Sequence, residues 1–311
     1  MTGGAGFIGS HIAEYLLQYG AGKVRVLDNL STGSQKNIDF LAQYPQFEFM
    51  QGDIRSKDDC ANACQDIHFV SHQAALGSVP RSIKDPSTTN DVNISGFVNM
   101  LDACHRQGIK RVVYASSSSV YGDSPTLPKV EDQIGRPLSP YAVTKLTNEV
   151  YADVFARVYG LEPIGLRYFN VFGARQSPEG PYAAVIPLFI KGLLNNEPIF
   201  INGDGSQSRD FTYVDNAVQA NIKALFTDNP RANNQVYNVA VGQRFSLLEM
   251  YQLLCNIIGT NRPPTHRAPR EGDIPHSLAD ISKAKSLLCY EPSFLFEQGL
   301  QHTVAHFKEI L

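Results

Sequence analysis

Tyr141 and Lys145 stand four residues apart in SPYAVTKLTNEVYADVFARVYG, a stretch patterned as a helix over 139–160. Residues at i and i+4 share a helix face. An ammonium beside a phenol favours phenolate and draws the tyrosine toward neutrality, which makes it a usable base. Tyr and Lys fall at this spacing by chance in many helices, so the pair alone decides little. Ser116, Ser117, Ser118 and Ser119 add weight, because they close the apolar run KRVVYASS (110–117), which reads as a strand buried on both faces. A parallel sheet presents ligands at such a strand end. A serine there can hold the substrate oxygen whose proton the tyrosine takes; its plainer use is to satisfy backbone groups.

Gly3, Gly6 and Gly9 in MTGGAGFIGSHIAEYL open an amphipathic helix carrying Ile8, Ile12 and Leu16. The backbone N–H groups and the helix dipole can then meet a pyrophosphate. Asp28 ends the β-branched run KVRVLD, 19 residues after Gly9. An acid at that place binds the two ribose hydroxyls of an adenosine and repels a 2′-phosphate, which favours NAD over NADP. Otherwise it is a strand-end turn residue. Such a glycine turn follows a buried strand, yet only Met1 and Thr2 precede Gly3. The first, central strand is therefore expected to be missing but for its end.

The elements that must position these groups alternate. Strands are expected at 23–28, 47–53, 67–75 and 110–117, a strand with its exit loop at 163–173, and helices at 89–108 and 139–160. This alternation predicts an α/β fold, a Rossmann-type doubly wound parallel sheet. Past about residue 175 loops rich in Pro, Arg and Asp separate further helices at 214–226 and 247–258. The expected division is a dinucleotide-binding domain over 1–174 and a smaller α/β substrate region over 175–311, with some later segments returning to the first.

Net charge is -3 and the basic residues are scattered, which points away from nucleic acid and from membrane surfaces. No apolar run reaches the roughly 18 residues of a membrane helix, and no leader pattern opens the chain, so a cytoplasmic location is expected. Five dispersed cysteines argue against a disulfide framework. Cys60 and Cys64, like His302 and His306, sit four apart without a second pair of ligands; both pairs read as ordinary helix surfaces, and no metal is expected.

TGGAGFIG, GDIR, HQAA, SSSSVYG, SPYAVTK and LRYFNVFG, in this order, resemble the extended short-chain dehydrogenase/reductases, and RDFTYVDN and REGDIPHS extend the resemblance into a sugar-nucleotide half. The chain is most similar to UDP-sugar 4-epimerases of the UDP-GlcNAc/UDP-GalNAc type. That resemblance implies an NAD enzyme that oxidises and re-reduces sugar carbon 4. Gly3, Gly6 and Gly9, with Phe7 and Ile8, would take the pyrophosphate, and Asp28 and Asn29 the adenosine ribose. Asp53 and Ile54 would frame the adenine; Gln73, Ala74, Ala75 and Tyr168 would line the nicotinamide side. Tyr141 would be the base, Lys145 would hold the nicotinamide ribose, and Ser117 the reacting hydroxyl. Asn170, Arg209 and Arg270 would meet the substrate diphosphate. Ala184, Val185, Phe200, Asn202 and Asp273 would surround the uridine, with Ser78, Ser118 and Ser119 completing the substrate set. Ser277, at the end of REGDIPHS, would leave room for an N-acetyl group. A homodimer built from the helices at 89–108 and 139–160 is implied as well. UDP-Glc/UDP-Gal or a UDP-uronate stays open as substrate. A 4,6-dehydratase would need an Asp-Glu pair where Ser118-Ser119 stand, and a non-catalytic NAD sensor would not need Ser117, Tyr141 and Lys145.

Overall fold

The computed structural model describes residues 1–179, 183–268 and 275–311. Its first lobe runs α1 (Phe7–Gln18), β1 (Val24–Asp28), β2 (Phe47–Gln51), α2 (Lys57–Cys64), β3 (Phe69–His72), α3 (Gly96–Arg106), β4 (Arg111–Ser117), α4 (Pro140–Tyr159) and β5 (Glu162–Tyr168). After α5 (Val185–Leu194) and α6 (Val214–Phe226), β6 (Gln235–Val239) returns to the first sheet, and α7 (Leu247–Ile258) and α8 (Phe296–Ile310) follow. All pairings in that sheet are parallel: β1 with β2, and β3-β4-β5-β6 side by side. Thr2 joins the two halves, bridging Leu27 on one side and His72 on the other. The central position is thus held by Met1 and Thr2. Thr2 N–H donates to Ser71 O (3.0 Å) and its carbonyl accepts from Gln73 N–H (3.1 Å).

Local signals explain the site-bearing helix. Ser139 Oγ accepts Ala142 N–H, Pro140 opens the first turn, and Gly160 closes the helix in the left-handed conformation at φ +71°. One apolar layer packs Phe97, Leu101, Val112 and Phe155 beneath α3 and α4. The other packs Ile164, Leu166, Ala217 and Tyr237 beneath α6. Phe172, Ile190, Phe211, Tyr251 and Phe296 form a separate core for the second lobe.

Two expectations are corrected. The helix at 89–108 is interrupted: Pro86–Asn90 is helical, a wide π turn spans Asp91–Ser95, and α3 follows. The turn aims Asn93 inward, where its side chain accepts from Leu76 N–H (2.8 Å) and donates to Thr144 Oγ1 (3.1 Å). The strand and exit loop expected over 163–173 divide at Tyr168: Asn170 turns the chain at φ +37°, and Val171–Phe172 then pairs with Thr212–Tyr213. Cys60 and Cys64 are core residues of α2 rather than surface ones. Among the described residues, no helix is long and apolar enough to cross a membrane, and no cluster of metal-ligating side chains occurs.

Candidate active site

The glycine turn connects the end of the Met1–Thr2 segment to α1, and sterics dictate its composition. Gly3 has φ +69°, and a Cβ there would lie 2.5 Å from Ala74 N; a Cβ on Gly9 would lie 2.1 Å from Gly3 O. The turn and the ends of β1, β3, β4 and β5 enclose a cavity of about 450 Å³. Gly3, Gly6, Phe7, Ile8, Gly9, Asp28, Asn29, Asp53, Ile54, Gln73, Ala74 and Ala75 line it, as do Ser117, Tyr141, Lys145, Tyr168 and Asn170. Every residue expected at the dinucleotide and at the base therefore reaches one cavity.

Asp28 is buried, and both of its oxygens are engaged, accepting Ala5 N–H (3.0 Å) and Leu30 N–H (2.8 Å). A carboxylate has about four lone-pair sites, so the contacts that fix this turn leave acceptor capacity toward the cavity. Asn29 donates to Asp53 (2.9 Å), whose carboxyl is held down to about 2 by the Arg55 guanidinium. Tyr168, Gln73 and Asn221 close a hydrogen-bonded ring at 2.7–3.0 Å that fixes Gln73 at the cavity floor.

At the other end, Tyr141 begins α4, with its N–H on Ser82 Oγ (3.0 Å). Lys145 Nζ donates to Ala115 O (2.8 Å) and lies 6.0 Å from the Tyr141 ring centroid. Ser117 Oγ accepts Ser119 N–H (3.2 Å), and its own proton serves the Tyr141 phenol until a substrate oxygen takes it. The expected depression of Tyr141 is corrected: burial pushes its phenol up, opposed by a hydrogen bond from Ser117. Burial also takes Lys145 down to about 8, against the pull of Glu149. Desolvation outweighs the Ser117 hydrogen bond at Tyr141 and the Glu149 charge at Lys145. The Ser116 hydroxyl is spent elsewhere, on Glu149 at 2.5 Å.

A family model for the NAD dependent epimerase/dehydratase family matches residues 1–240. The chain belongs to that family. A putative UDP-glucose 4-epimerase of Methanocaldococcus jannaschii is 39% identical over 98% of this chain and 96% of its own. Two solved structures superpose closely. The UDP-N-acetylglucosamine 4-epimerase of Methanobrevibacter ruminantium, in complex with UDP-N-acetylmuramic acid, has a TM-score of 0.94 at 39% identity, covering 100% of this chain and 97% of that one. The UDP-glucuronic acid 4-epimerase of Bacillus cereus, with UDP-glucuronic acid and NAD, has a TM-score of 0.93 at 33% identity, covering 100% and 98%.

This epimerase/dehydratase family member is an NAD-dependent enzyme of the isomerase type, and its cavity suits the cofactor. The start of α1 carries no side-chain cap, so first-turn N–H groups are available to a pyrophosphate. Glycine leaves the close approach open.

The residues expected at the sugar nucleotide are more dispersed. Ser78 caps a short helix, Val79–Lys84, by accepting Arg81 N–H. Ser118 and Ser119 start a 3₁₀ turn, and Ser119 Oγ is buried without a hydrogen bond among the described residues. Ala184 and Val185 form the uncapped start of α5. Phe200 and Asn202 lie on a short strand pairing with Thr265–Arg267, with the Arg267 guanidinium 3.3 Å from the Phe200 ring centroid. Arg209 donates to Ser208 O and Pro275 O, and Ser277 N–H to Ser208 O (3.0 Å). None of these nine is among the cavity-lining residues. Arg270 and Asp273 lie outside the described residues.

Several lining residues escaped the sequence reading. Ser31, Thr32 and Gly33 line the cavity beside Asp28 and Asn29, Leu76 and Val92 line it as well, and Gln176 enters from the loop after Val171–Phe172. The Gly in LSTGS was the available signal: a Cβ on Gly33 would lie 2.9 Å from Ala5 backbone.

Proposed function

We propose that the chain is a UDP-sugar 4-epimerase whose preferred pair is UDP-GlcNAc and UDP-GalNAc. The observation that carries the reaction class is the convergence of Ser117, Tyr141 and Lys145 on the cavity that the glycine turn opens. Tyr141 takes the proton of the sugar 4-hydroxyl and later returns it. Ser117 donates to the same oxygen, and Lys145 supplies the positive charge that favours phenolate. Bound NAD supplies the hydride exchange at carbon 4. Asp28 and the first turn of α1 hold that cofactor, while Gln73 and Tyr168 fix its neighbourhood. The keto sugar must present its other face between the two transfers, and the small side chains that the resemblance places beside the sugar, Ser118, Ser119 and Ser277, suit that movement. Ser118 and Ser119 also argue against dehydration, which needs an acid and a base beside the catalytic hydroxyl.

Support for the N-acetylated pair is narrower. It rests on the serine at 277, where enzymes restricted to glucose and galactose carry a bulky tyrosine, and on likeness to a UDP-N-acetylglucosamine 4-epimerase. A clash rejects a large group far more strongly than open space rejects a small one. Incubation with UDP-GlcNAc, UDP-GalNAc, UDP-Glc, UDP-Gal and UDP-glucuronate, read by chromatography, should give fastest interconversion of the N-acetylated pair. Ser277→Tyr should remove that activity and spare UDP-Glc and UDP-Gal. Unchanged N-acetyl turnover in Ser277→Tyr refutes the substrate assignment, and no turnover of any UDP-sugar refutes the reaction class.

A further inference from the structure

Glu149 follows Lys145 by one further helical turn, so Tyr141, Lys145 and Glu149 form a row on α4. Its carboxylate is gripped from two adjacent strands. Arg167 of β5 forms a bidentate pair, Nε to Oε1 at 2.9 Å and Nη2 to Oε2 at 2.8 Å, and Ser116 of β4 donates to Oε1. Ser116 and Arg167 are register partners, so both reach α4 from the same face of the sheet. The side chains of Arg167 and Glu149 are only 3% and 9% exposed. Arg167 is braced in turn by Glu131 O (2.8 Å) and by the Tyr121 ring. Consecutive turns of α4 thus hold consecutive residues of β4: Lys145 takes Ala115 O, and Glu149 takes Ser116 Oγ. The next residue on that strand is Ser117.

We propose that Glu149 is a positioning residue for the reaction: bound at once to Ser116 and Arg167, it fixes the end of β4 against α4 and so sets where Ser117, Tyr141 and Lys145 meet. A buried pair with good geometry is costly to break one-sidedly, because the remaining charge is left uncompensated. That makes Glu149 an electrostatic element as well. Lys145 is faced by Glu149 and Tyr141 from its own helix and by His72 from β3, with Ala115 O on β4, while Arg167 of β5 sits on the far side of Glu149 as its ion-pair partner. His72 is driven neutral by burial, so Glu149 is the anion that offsets Arg167 in this group.

The test uses the full-length, NAD-loaded enzyme. Glu149→Gln leaves Arg167 unpaired, and both limbs of the kcat–pH profile should move toward acid by about one unit, the scale of a nearby charge. At its optimum kcat should fall about tenfold with KM within about twofold, because the bound geometry and not substrate affinity is disturbed. Ultraviolet titration, with the Tyr141 phenolate isolated by subtracting the matching Tyr141→Phe protein, should show the same acid shift. Glu149→Gln/Arg167→Met removes both charges and should return the limbs to their places while kcat stays low. Ser116→Ala keeps both charges, so it should lower kcat by about threefold without moving the limbs. A melting-temperature loss with wild-type kcat and an unmoved profile overturns the proposal. Should Glu149→Gln fail to fold, wild-type kcat in the double variant and in Ser116→Ala overturns it equally. The turnover assay rests on the epimerase reading. Wild-type protein inactive on every UDP-sugar counts against that reading, while the phenolate titration still decides this one.

Discussion

Replacing Gly9 by alanine adds one methyl group at the point where the glycine turn enters α1. Gly9 is helical, so alanine is conformationally acceptable there, and the effect is steric alone. The new Cβ would sit 2.1 Å from Gly3 O, 2.9 Å from Gly3 C and 2.9 Å from Gly4 Cα. Contacts under 3.0 Å are not sustained, so the turn must open by about 0.9 Å. Backbone has no flexible end that can swing away, and Gly3 is itself pinned by its N–H on Leu27 O (2.9 Å) and by close approach to Ala74. The shift therefore falls on the N–H groups that would meet the pyrophosphate. Overpacking of this kind costs about 1–3 kcal/mol of stability. A misplacement near 1 Å costs about 10²-fold in a site that works by position, or about 2.8 kcal/mol of binding. Calorimetric titration of NAD should thus show Kd raised about 10²-fold for Gly9→Ala, with a lowered melting temperature. Gly22→Ala, where an added Cβ meets nothing within 4 Å, is the control and should leave both unchanged. Wild-type NAD affinity in Gly9→Ala would mean that the turn is not the pyrophosphate cradle, whatever its sequence.

The other expectations are briefer. Tyr141→Phe keeps the ring and removes the titrating hydroxyl; NAD and UDP-sugar binding should survive while turnover falls at least about 10²-fold, and near wild-type turnover removes Tyr141 from its role. His72 is driven by burial from 6.5 down to about 3, so the unfolded chain takes up its proton first. Its contribution is complete above pH 6.5 and is lost as pH falls toward 3, at about 1.4 kcal/mol per pH unit. Denaturant midpoints of His72→Asn should show a slope shallower by one proton, and identical slopes contradict the linkage. Val143, Val150 and Val158 on α4 are 47%, 58% and 64% exposed, an apolar face that a homodimer would cover. Light scattering at micromolar concentration should report a dimer that Val150→Asp weakens; a wild-type monomer refutes the assembly.

The dinucleotide half was legible because its constraints are local. A glycine forced to φ +69° and another with no room for a Cβ leave a spacing that no other residue can fill. Strand ends carry Asp28 and Ser117, and the bounds of α4 follow from Ser139, Pro140 and Gly160. What the sequence concealed is what depends on chain segments meeting from afar. The π turn at Asp91–Ser95 breaks a helix whose apolar spacing runs on, because Asn93 must turn in to Leu76 and Thr144. Gln176 lies far from the glycines in sequence and reaches their cavity only through the pairing of Val171–Phe172 with Thr212–Tyr213.

The tyrosine shows why a spacing rule can find a residue and misjudge its chemistry. Four residues on a helix bring Lys145 beside Tyr141, and in water that neighbour would lower the phenol. The same fold that assembles the pair also buries it, and burial acts on both groups against their charged forms. Lys145 falls to about 8 while Tyr141 rises, so the pair is assembled without being poised. The remaining pull comes from polar groups that periodicity does not reveal. Ser117 donates to the phenol, and Glu149 supports the ammonium from the next turn. A positive charge entering the cavity beside Tyr141 would act in the same direction, favouring phenolate. Phenolate titration with and without NAD tests this coupling. It should show a lower midpoint with the oxidised cofactor than with the reduced one, and equal midpoints would place the tuning wholly within Ser117, Lys145 and Glu149.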